Sequence, residues 1–411
     1  MIDLHLLRTN PTDVIARLTK KDPDFPTHEL IEKDRIVREL QIAVESLRSE
    51  KNNLSKGGAV TQEVREKSIA LGKQLKEDET KLAAAQEALN HVWLRCPNLP
   101  EDEVPVGNKA ENVTVRSWGT IPQFSFTPRN HLQLNDINKW FDLDVAAKMS
   151  GAQFVYYTPM GTKIIYALTQ MMLKNNARHN FLPVIPPYLV TEKALYNGGN
   201  LPKFAGDFYE VKEDNLCLIP TAEVSLTNVH ADEILEETQL PIRYTSWTSC
   251  FRREAGGYGA AERGIIRIHQ FEKVELYAIT KPQDSRQELE QMVGCAESIL
   301  QQLGLAYQVV LLAGQDCSFG SAKTYDLEVW LPGQNRHQEV SSASNCTDFQ
   351  ARRAQIRYRN AETKKPTLAH TLNASSLALP RLMVALMEQY QQEDGSIKLP
   401  KALQEIVDAL W

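Results

Sequence analysis

Residues 250–276 read CFRREAGGYGAAERGIIRIHQFEKVEL. The segment opens on two arginines and a carboxylate, passes through a run rich in glycine and alanine, and returns through Arg263, Arg267, His269, Gln270 and Phe271 to the apolar alternation of residues 273–277. Charged limbs flanking a glycine-rich tip predict a β-hairpin. On its returning strand residues two apart share a face, so Arg267, His269, Phe271, Lys273 and Glu275 project together. Such a face makes a poor hydrophobic core. It suits a nucleotide, with an aromatic ring to stack a base and cations for phosphates, although a solvated edge hairpin satisfies the same pattern. The chain has no GxxxxGK[ST] run and no GxGxxG after a strand, so a bound nucleotide would be held by arginines and not by a P-loop or dinucleotide-binding turn.

Outward from the hairpin, short β-branched or alternating runs (154–157, 309–312 and 328–331) mix with amphipathic helical patterns. Ile164, Ile165, Leu168, Met171 and Met172 mark one helix face, and Leu289, Met292, Val293, Ile299 and Leu300 another. Without regular βαβ alternation, this predicts an α+β domain on a largely antiparallel sheet with flanking helices.

Residues 28–92 differ in kind. They contain no proline, phenylalanine, tyrosine or tryptophan and are dense in Glu, Lys, Gln, Leu and Ala, a helix-forming composition. Leu30, Val37 and Val44 recur every seven residues beside Leu40, Leu47 and Leu54. Leu75, Leu82 and Leu89 do the same beside Val64, Leu71, Ala85 and Val92. Gly57-Gly58 separates the two stripes and permits a reversal, so two long helices are expected to pack antiparallel as a coiled-coil arm roughly 40 Å long. Periodicity alone fits a dimerisation coiled coil equally well. The 11 Lys and Arg of this stretch face 12 Asp and Glu, so any RNA contact would rest on local groups such as Arg48, Lys51 and Lys56. The proline-rich acidic run 96–105 cannot continue a helix and sets the expected boundary between domains at 1–100 and 101–411.

Composition bounds the rest. Among 411 residues, 46 Lys and Arg against 52 Asp and Glu give a net charge of −6, which argues against a protein that coats nucleic acid through a broad basic field. No apolar stretch approaches a membrane span and the first residues lack a signal-peptide layout, so no membrane and a cytoplasmic location are expected. The six cysteines form no CxxC pair and read as small buried hydrophobes.

Phe251-Arg252-x-Glu254 together with Arg263-Gly264-x-x-Arg267-x-His269-Gln270-Phe271 resembles motif 2 of class II aminoacyl-tRNA synthetases, in the form typical of the bacterial seryl family. Residues 219–224 (IPTAEV), 322–330 (AKTYDLEVW), 339–345 (EVSSASN) with 348–353 (DFQARR), and 370–381 resemble further blocks of that family, the last being motif 3. Pro186-Pro187 and the helix before it resemble the dimer-forming motif 1. The blocks fall in the family's order along essentially the whole chain.

The resemblance implies a homodimer that activates L-serine with ATP and Mg²⁺ and transfers it to the 3′ end of serine tRNA. It leaves charging of selenocysteine tRNA open. A catalytically silent, synthetase-derived regulatory or RNA-binding protein is the competing reading. By resemblance, Arg252, Glu254 and Arg381 are catalytic, with Arg252 on the α-phosphate and Arg381 on the γ-phosphate. Arg253, Arg267, Phe271, Glu339, Val340, Ser341 and Ser342 complete the ATP site, with Phe271 on adenine and Glu339 and Ser342 also holding the metal. Thr221, Ala222, Glu223, Glu254, Glu275, Asn373 and Ser375 form the serine site. The arm, through Arg48, Lys51 and Lys56, would bind tRNA. His269 and His370 are read as structural, and no general base is assigned. Where the family's motif 3 carries glycines, this chain has Ala374, Ser376 and Pro380. Loss of glycine narrows the backbone conformations open to that segment.

Overall fold

A computed structural model describes residues 1–56, 61–254 and 264–411, the side chains of Ser55 and Lys56 excepted. The reversal expected at Gly57-Gly58, the Lys56 side chain and the hairpin tip with Arg263 therefore lie outside the described residues. The chain forms two compact units, Met1–Leu99 and Pro100–Trp411.

In the first unit, short helices α1 (Leu4–Thr9) and α2 (Pro11–Lys21) precede the long pair α3 (Thr27–Lys56) and α4 (Gln62–Trp93). Thr61 caps α4, its hydroxyl accepting from the Val64 amide at 3.3 Å. The heptads do what their spacing predicts. Leu30, Val37 and Val44 are buried on α3, and Leu89 and Val92 on α4. Leu47, Leu54, Leu71 and Leu75 are only half-buried, because two helices alone cannot enclose a stripe without a third element. Ion pairs Arg48–Glu79 (2.8 Å) and Lys67–Glu50 (3.0 Å) cross between the helices, in keeping with the antiparallel register that the apolar stripes set.

The second unit is built on a sheet of eight described strands: β1 (Val113–Trp118), β2 (Leu182–Pro183), β3 (Ile242–Phe251), β4 (Gln270–Thr280), β5 (Tyr307–Leu311), β6 (Lys323–Leu331), β7 (Arg336–Thr347) and β8 (His370–Ala378). Their order is β1-β5-β6-β7-β8-β4-β3-β2, antiparallel throughout except for β2 on β3. Helices α5 (Pro159–Arg178), α6 (Glu192–Asn197), α7 (Ala222–Thr227), α8 (Ser285–Gln302), α9 (Phe349–Ala354) and α10 (Leu379–Gln389) flank it.

Strand alternation decides what each face does. On β4, Val274, Leu276 and Ala278 point into the main core with the apolar faces of α5, α8 and α10. Tyr277 and Ile279 point the other way, into a smaller core with Ala222, Leu226, Ala351 and Ala354. Phe271, Lys273 and Glu275 share that second side, and there the polar residues gather.

Two local expectations need correction. Of the expected strand 154–157 only Tyr156–Tyr157 is extended, paired with Phe141–Asp142 outside the main sheet. The β4 ladder begins at Gln270, so Arg267 and His269 precede the strand. The run 264–268 does not alternate, because Ile265, Ile266 and Ile268 are all buried. Burying two neighbouring isoleucines requires a turn, and Gly264 begins it at φ 76°.

Candidate active site

Strands β3 and β4 bring Arg252 and Phe271 together, with the Arg252 guanidinium 5.2 Å from the ring centroid. The arginine is aimed by its Nε, which donates to the Pro220 carbonyl at 3.2 Å, and by its amide, which donates to the His269 carbonyl at 2.9 Å. His269 Nδ1 in turn lies 3.0 Å from the Arg252 carbonyl, a closed backbone lock. Glu254 pairs with Arg267 at 2.6 Å across the two limbs.

Arg381 enters from the first turn of α10, where Pro380 costs no helical hydrogen bond. Its guanidinium reaches the Glu339 carboxylate at 3.1 Å and the Ile266 carbonyl at 3.2 Å. Arg252, Glu254, Arg267, Phe271, Glu339, Ser375 and Arg381 line a common cavity of about 120 Å³.

Other members of the expected ATP set sit differently. The Val340 side chain lies in the main core, Ser341 is buried with its hydroxyl on the Ser375 carbonyl, and Arg253 is exposed. Any contact Val340 makes with a ligand is through its backbone.

The expected serine residues form two adjoining clusters. In the first, Glu275, 1% exposed, accepts from the Thr221 hydroxyl at 3.0 Å and is ion-paired with Lys273, whose ammonium also donates to Thr221 at 2.7 Å. Ser375 is the ladder partner of Glu275. In the second, Glu223 Oε1 accepts from Asn373 at 2.9 Å and from Gln350 at 2.6 Å. Thr221 caps α7. Ala222 is buried in the smaller core, so it offers the site only backbone.

Glu223 keeps partial exposure, yet protein crowds it. Burial first, then the Glu275 charge, push its carboxyl up to about 7, against Lys273, the Gln350 hydrogen bond and Arg252.

Lys273 and Gln350 are the residues to which sequence reasoning gave no role. Lys273 stood on the predicted polar face; only its burial beside Glu275 shows that it neutralises that carboxylate. Gln350 lay within a recognised block, but its reach to Glu223 is a long-range contact that no spacing reveals.

Burial holds His370 below the usual histidine range, and its Nδ1 lies 3.0 Å from the Ser285 hydroxyl. It serves as a neutral structural group. The three departures in motif 3 are absorbed locally. Ala374 packs in the main core, the Ser376 hydroxyl donates to Asn176 at 3.2 Å, and Pro380 occupies a helix start.

An antiparallel sheet carrying an arginine hairpin on one edge of a cleft and a helix-borne arginine on the other defines a class II aminoacyl-tRNA synthetase. Residues 208–390 match the model of the tRNA synthetase class II core domain (G, H, P, S and T), and residues 1–100 that of the seryl-tRNA synthetase N-terminal domain. The serine–tRNA ligase of Teredinibacter turnerae is 44% identical over 98% of this chain and 97% of its own. The seryl-tRNA synthetase of Pyrococcus horikoshii, solved with ATP, superposes with a TM-score of 0.94 at 34% identity, covering 99% of this chain and 98% of its own. The cytoplasmic serine–tRNA ligase of Naegleria fowleri, solved with AMP, gives 0.88 at 25% identity over 99% and 97%. The chain belongs to the seryl-tRNA synthetase family. It activates serine with ATP and charges tRNA with it.

Proposed function

We propose that the cleft holds ATP and L-serine side by side and that the residues singled out above divide the work between them. The observation that carries this is the convergence of Arg252, Arg381, Glu339 and Phe271 on one cavity next to the Thr221–Lys273–Glu275 cluster. The serine carboxylate attacks the α-phosphorus in line, pyrophosphate leaves, and the adenylate is then attacked by the 3′-terminal ribose hydroxyl of tRNA with release of AMP. Arg252 meets the α-phosphate, Phe271 stacks on adenine and Arg381 takes the γ-phosphate. Planar guanidiniums suit these roles because they present paired donors and stay charged. Catalysis is then positioning and charge stabilisation.

Glu223 accepts from the serine ammonium. Glu275, Asn373 and Ser375 read the hydroxyl, with Thr221 holding Glu275 in place, so that alanine would leave polar groups of the site unpaired. Glu254 holds Arg267 in place.

The residues present fit Mg²⁺. Asp326 is buried, its Oδ1 has no hydrogen-bond partner among the described residues, and burial together with Glu339 holds its carboxyl well above the usual range. Such a spot favours a compensating cation. Glu339 and Ser342 would hold the metal, which when bound with ATP would neutralise phosphate charge. A phosphate-bound magnesium needs only one or two protein ligands.

Because Glu223 must be ionised to accept an ammonium, kcat/KM for serine is expected to fall as pH drops through about 7. The limb of kcat should lie lower, since the bound ammonium favours the carboxylate. Glu223→Gln should remove the limb and lower kcat/KM throughout.

The arm would grip serine tRNA by shape and backbone. Its candidate Arg48 is exposed but engaged by Glu79, so RNA binding there must compete with that pair; Lys51 is also engaged.

A homodimer is supported by an apolar cleft of about 500 Å³ lined by Val184, Ile185, Pro187, Leu189, Val229 and Tyr244. Ile185 is 87% exposed, and Leu189 and Val229 in the same cleft are exposed too, an apolar patch of the kind that marks a protein contact. Ile185→Asp is expected to convert a sedimenting dimer to monomer. Among the described residues no helix is long and apolar enough to cross a membrane; a cytoplasmic location is our reading from the tRNA substrate.

The test is pyrophosphate exchange into ATP with serine, threonine and alanine. Exchange with serine alone supports this site; silence with all three would favour the non-catalytic reading. Aminoacylation with serine tRNA, then with selenocysteine tRNA, tests whether the second acceptor is charged.

A further inference from the structure

Helix α9 has no part in the roles assigned so far, yet two of its buried side chains reach the border of the serine site. Gln350 is 1% exposed. Its Nε2 donates to the Gly198 carbonyl at 3.0 Å and to Glu223 Oε1 at 2.6 Å, while its Oε1 accepts from the Thr371 hydroxyl at 2.6 Å. A primary amide has two N–H donors and one carbonyl, and here each has its partner. Turning the amide over would set its carbonyl against the Glu223 carboxylate, so its orientation is fixed by the network. Arg353, on the same helix, donates to the Leu201 carbonyl at 2.6 Å and the Tyr196 carbonyl at 3.2 Å, with its guanidinium against the rings of Tyr196 and Phe349. The segment 196–201 is thereby pinned to α9, and Gly199 at φ 87° lets it turn.

The consequence for Glu223 is asymmetric. Oε1 takes both protein donors, Gln350 and Asn373, whereas Oε2 accepts no hydrogen bond among the described residues. One oxygen is anchored and the other is left for a ligand.

We propose that Gln350 is a positioning residue for amino-acid recognition: by anchoring Glu223 Oε1 it presents Oε2 to the serine ammonium and ties that carboxylate to the Gly198 turn. The proposal rests on the reading of Glu223 as the ammonium acceptor. Precise placement by a residue outside the contact shell is what a selective site requires, because a charged donor is recognised over a narrow range of distance and angle. A donor on Oε1 also favours the ionised carboxylate, so its removal should move the acid limb of kcat/KM upward in pH.

The experiment uses the full-length enzyme and serine-dependent pyrophosphate exchange, with KM for serine and ATP measured separately across pH. Gln350→Met keeps the length of the side chain and removes the donors. It should raise serine KM about 10-fold or more, leave ATP KM unchanged, and shift the acid limb of kcat/KM to higher pH. Thr371→Val, which frees the amide without altering α9, should move serine KM and the limb the same way by less; it carries the test if Gln350→Met fails to fold. Unchanged serine KM and limb, in variants where Glu223→Gln still raises serine KM, would overturn the proposal. So would equal rises in serine and ATP KM with no limb shift, the mark of a merely structural role. If Glu223→Gln itself leaves serine KM unchanged, the underlying reading of Glu223 is what fails.

Discussion

Replacing Arg252 by alanine is expected to lower serine-dependent pyrophosphate exchange about 10²–10³-fold, the usual effect of removing one preorganised donor from developing charge, with little change in thermal stability. Among the described residues the guanidinium is bound to the fold by a single carbonyl, that of Pro220, and a ring contact with Phe271. Neither is a core interaction, so truncation removes chemistry and leaves the fold. Arg252→Lys should recover little of the lost rate, because a point charge cannot reproduce the paired donors of a guanidinium or its stacking on Phe271. The loss should appear in kcat more than in the KM for ATP if Arg252 meets the α-phosphorus chiefly in the transition state. An equal loss in ATP affinity with kcat unchanged would make Arg252 a ground-state phosphate clamp, and the role at the reacting phosphorus would pass to another group. Exchange at the wild-type rate in a folded variant would remove Arg252 from the site altogether.

The parts of this molecule that were legible in the sequence are those governed by local periodicity. Leu30, Val37 and Val44 declare the arm because heptad spacing and burial are the same fact seen twice. The alternation through Phe271, Lys273 and Glu275 likewise places three side chains on one face by spacing alone. The turn at 264–268 was not legible, since its isoleucines suit a strand by propensity and only tertiary packing buries Ile265 and Ile266 together. The role of Lys273 was hidden for another reason. A lysine on a polar face is ordinarily solvated, and only the three-dimensional closure around β4 and Thr221 makes it a buried counter-ion. Gln350 is the extreme case. It lies 127 residues from Glu223 in sequence, and nothing short of the fold joins them. Motif 3 shows the converse. Ala374, Ser376 and Pro380 look disruptive where glycine is usual, yet the core, Asn176 and a helix start receive them.

The second large effect is on stability. Lys273→Met should destabilise the second unit by about 3–5 kcal/mol at neutral pH, the range for leaving one member of a buried ion pair uncompensated. Lys273 and Glu275 side chains are 7% and 1% exposed, so water cannot replace the missing charge. Thr221 still donates one hydrogen bond to Glu275, but a single neutral donor does not offset a buried carboxylate. The penalty belongs to the stranded carboxylate, so removing that charge as well should remove it. Adding Glu275→Gln should restore most of the lost stability, because the pair then leaves with no charge behind, while serine-dependent exchange stays low. Thermal melts of the two single variants and the double variant between pH 5 and 8 form the cycle. If Lys273→Met melts like wild type at every pH, the ion pair contributes nothing net and the lysine's place beside Glu275 serves recognition alone. If the double variant is no more stable than Lys273→Met, the cost lies in packing around the lost lysine chain and not in the stranded charge.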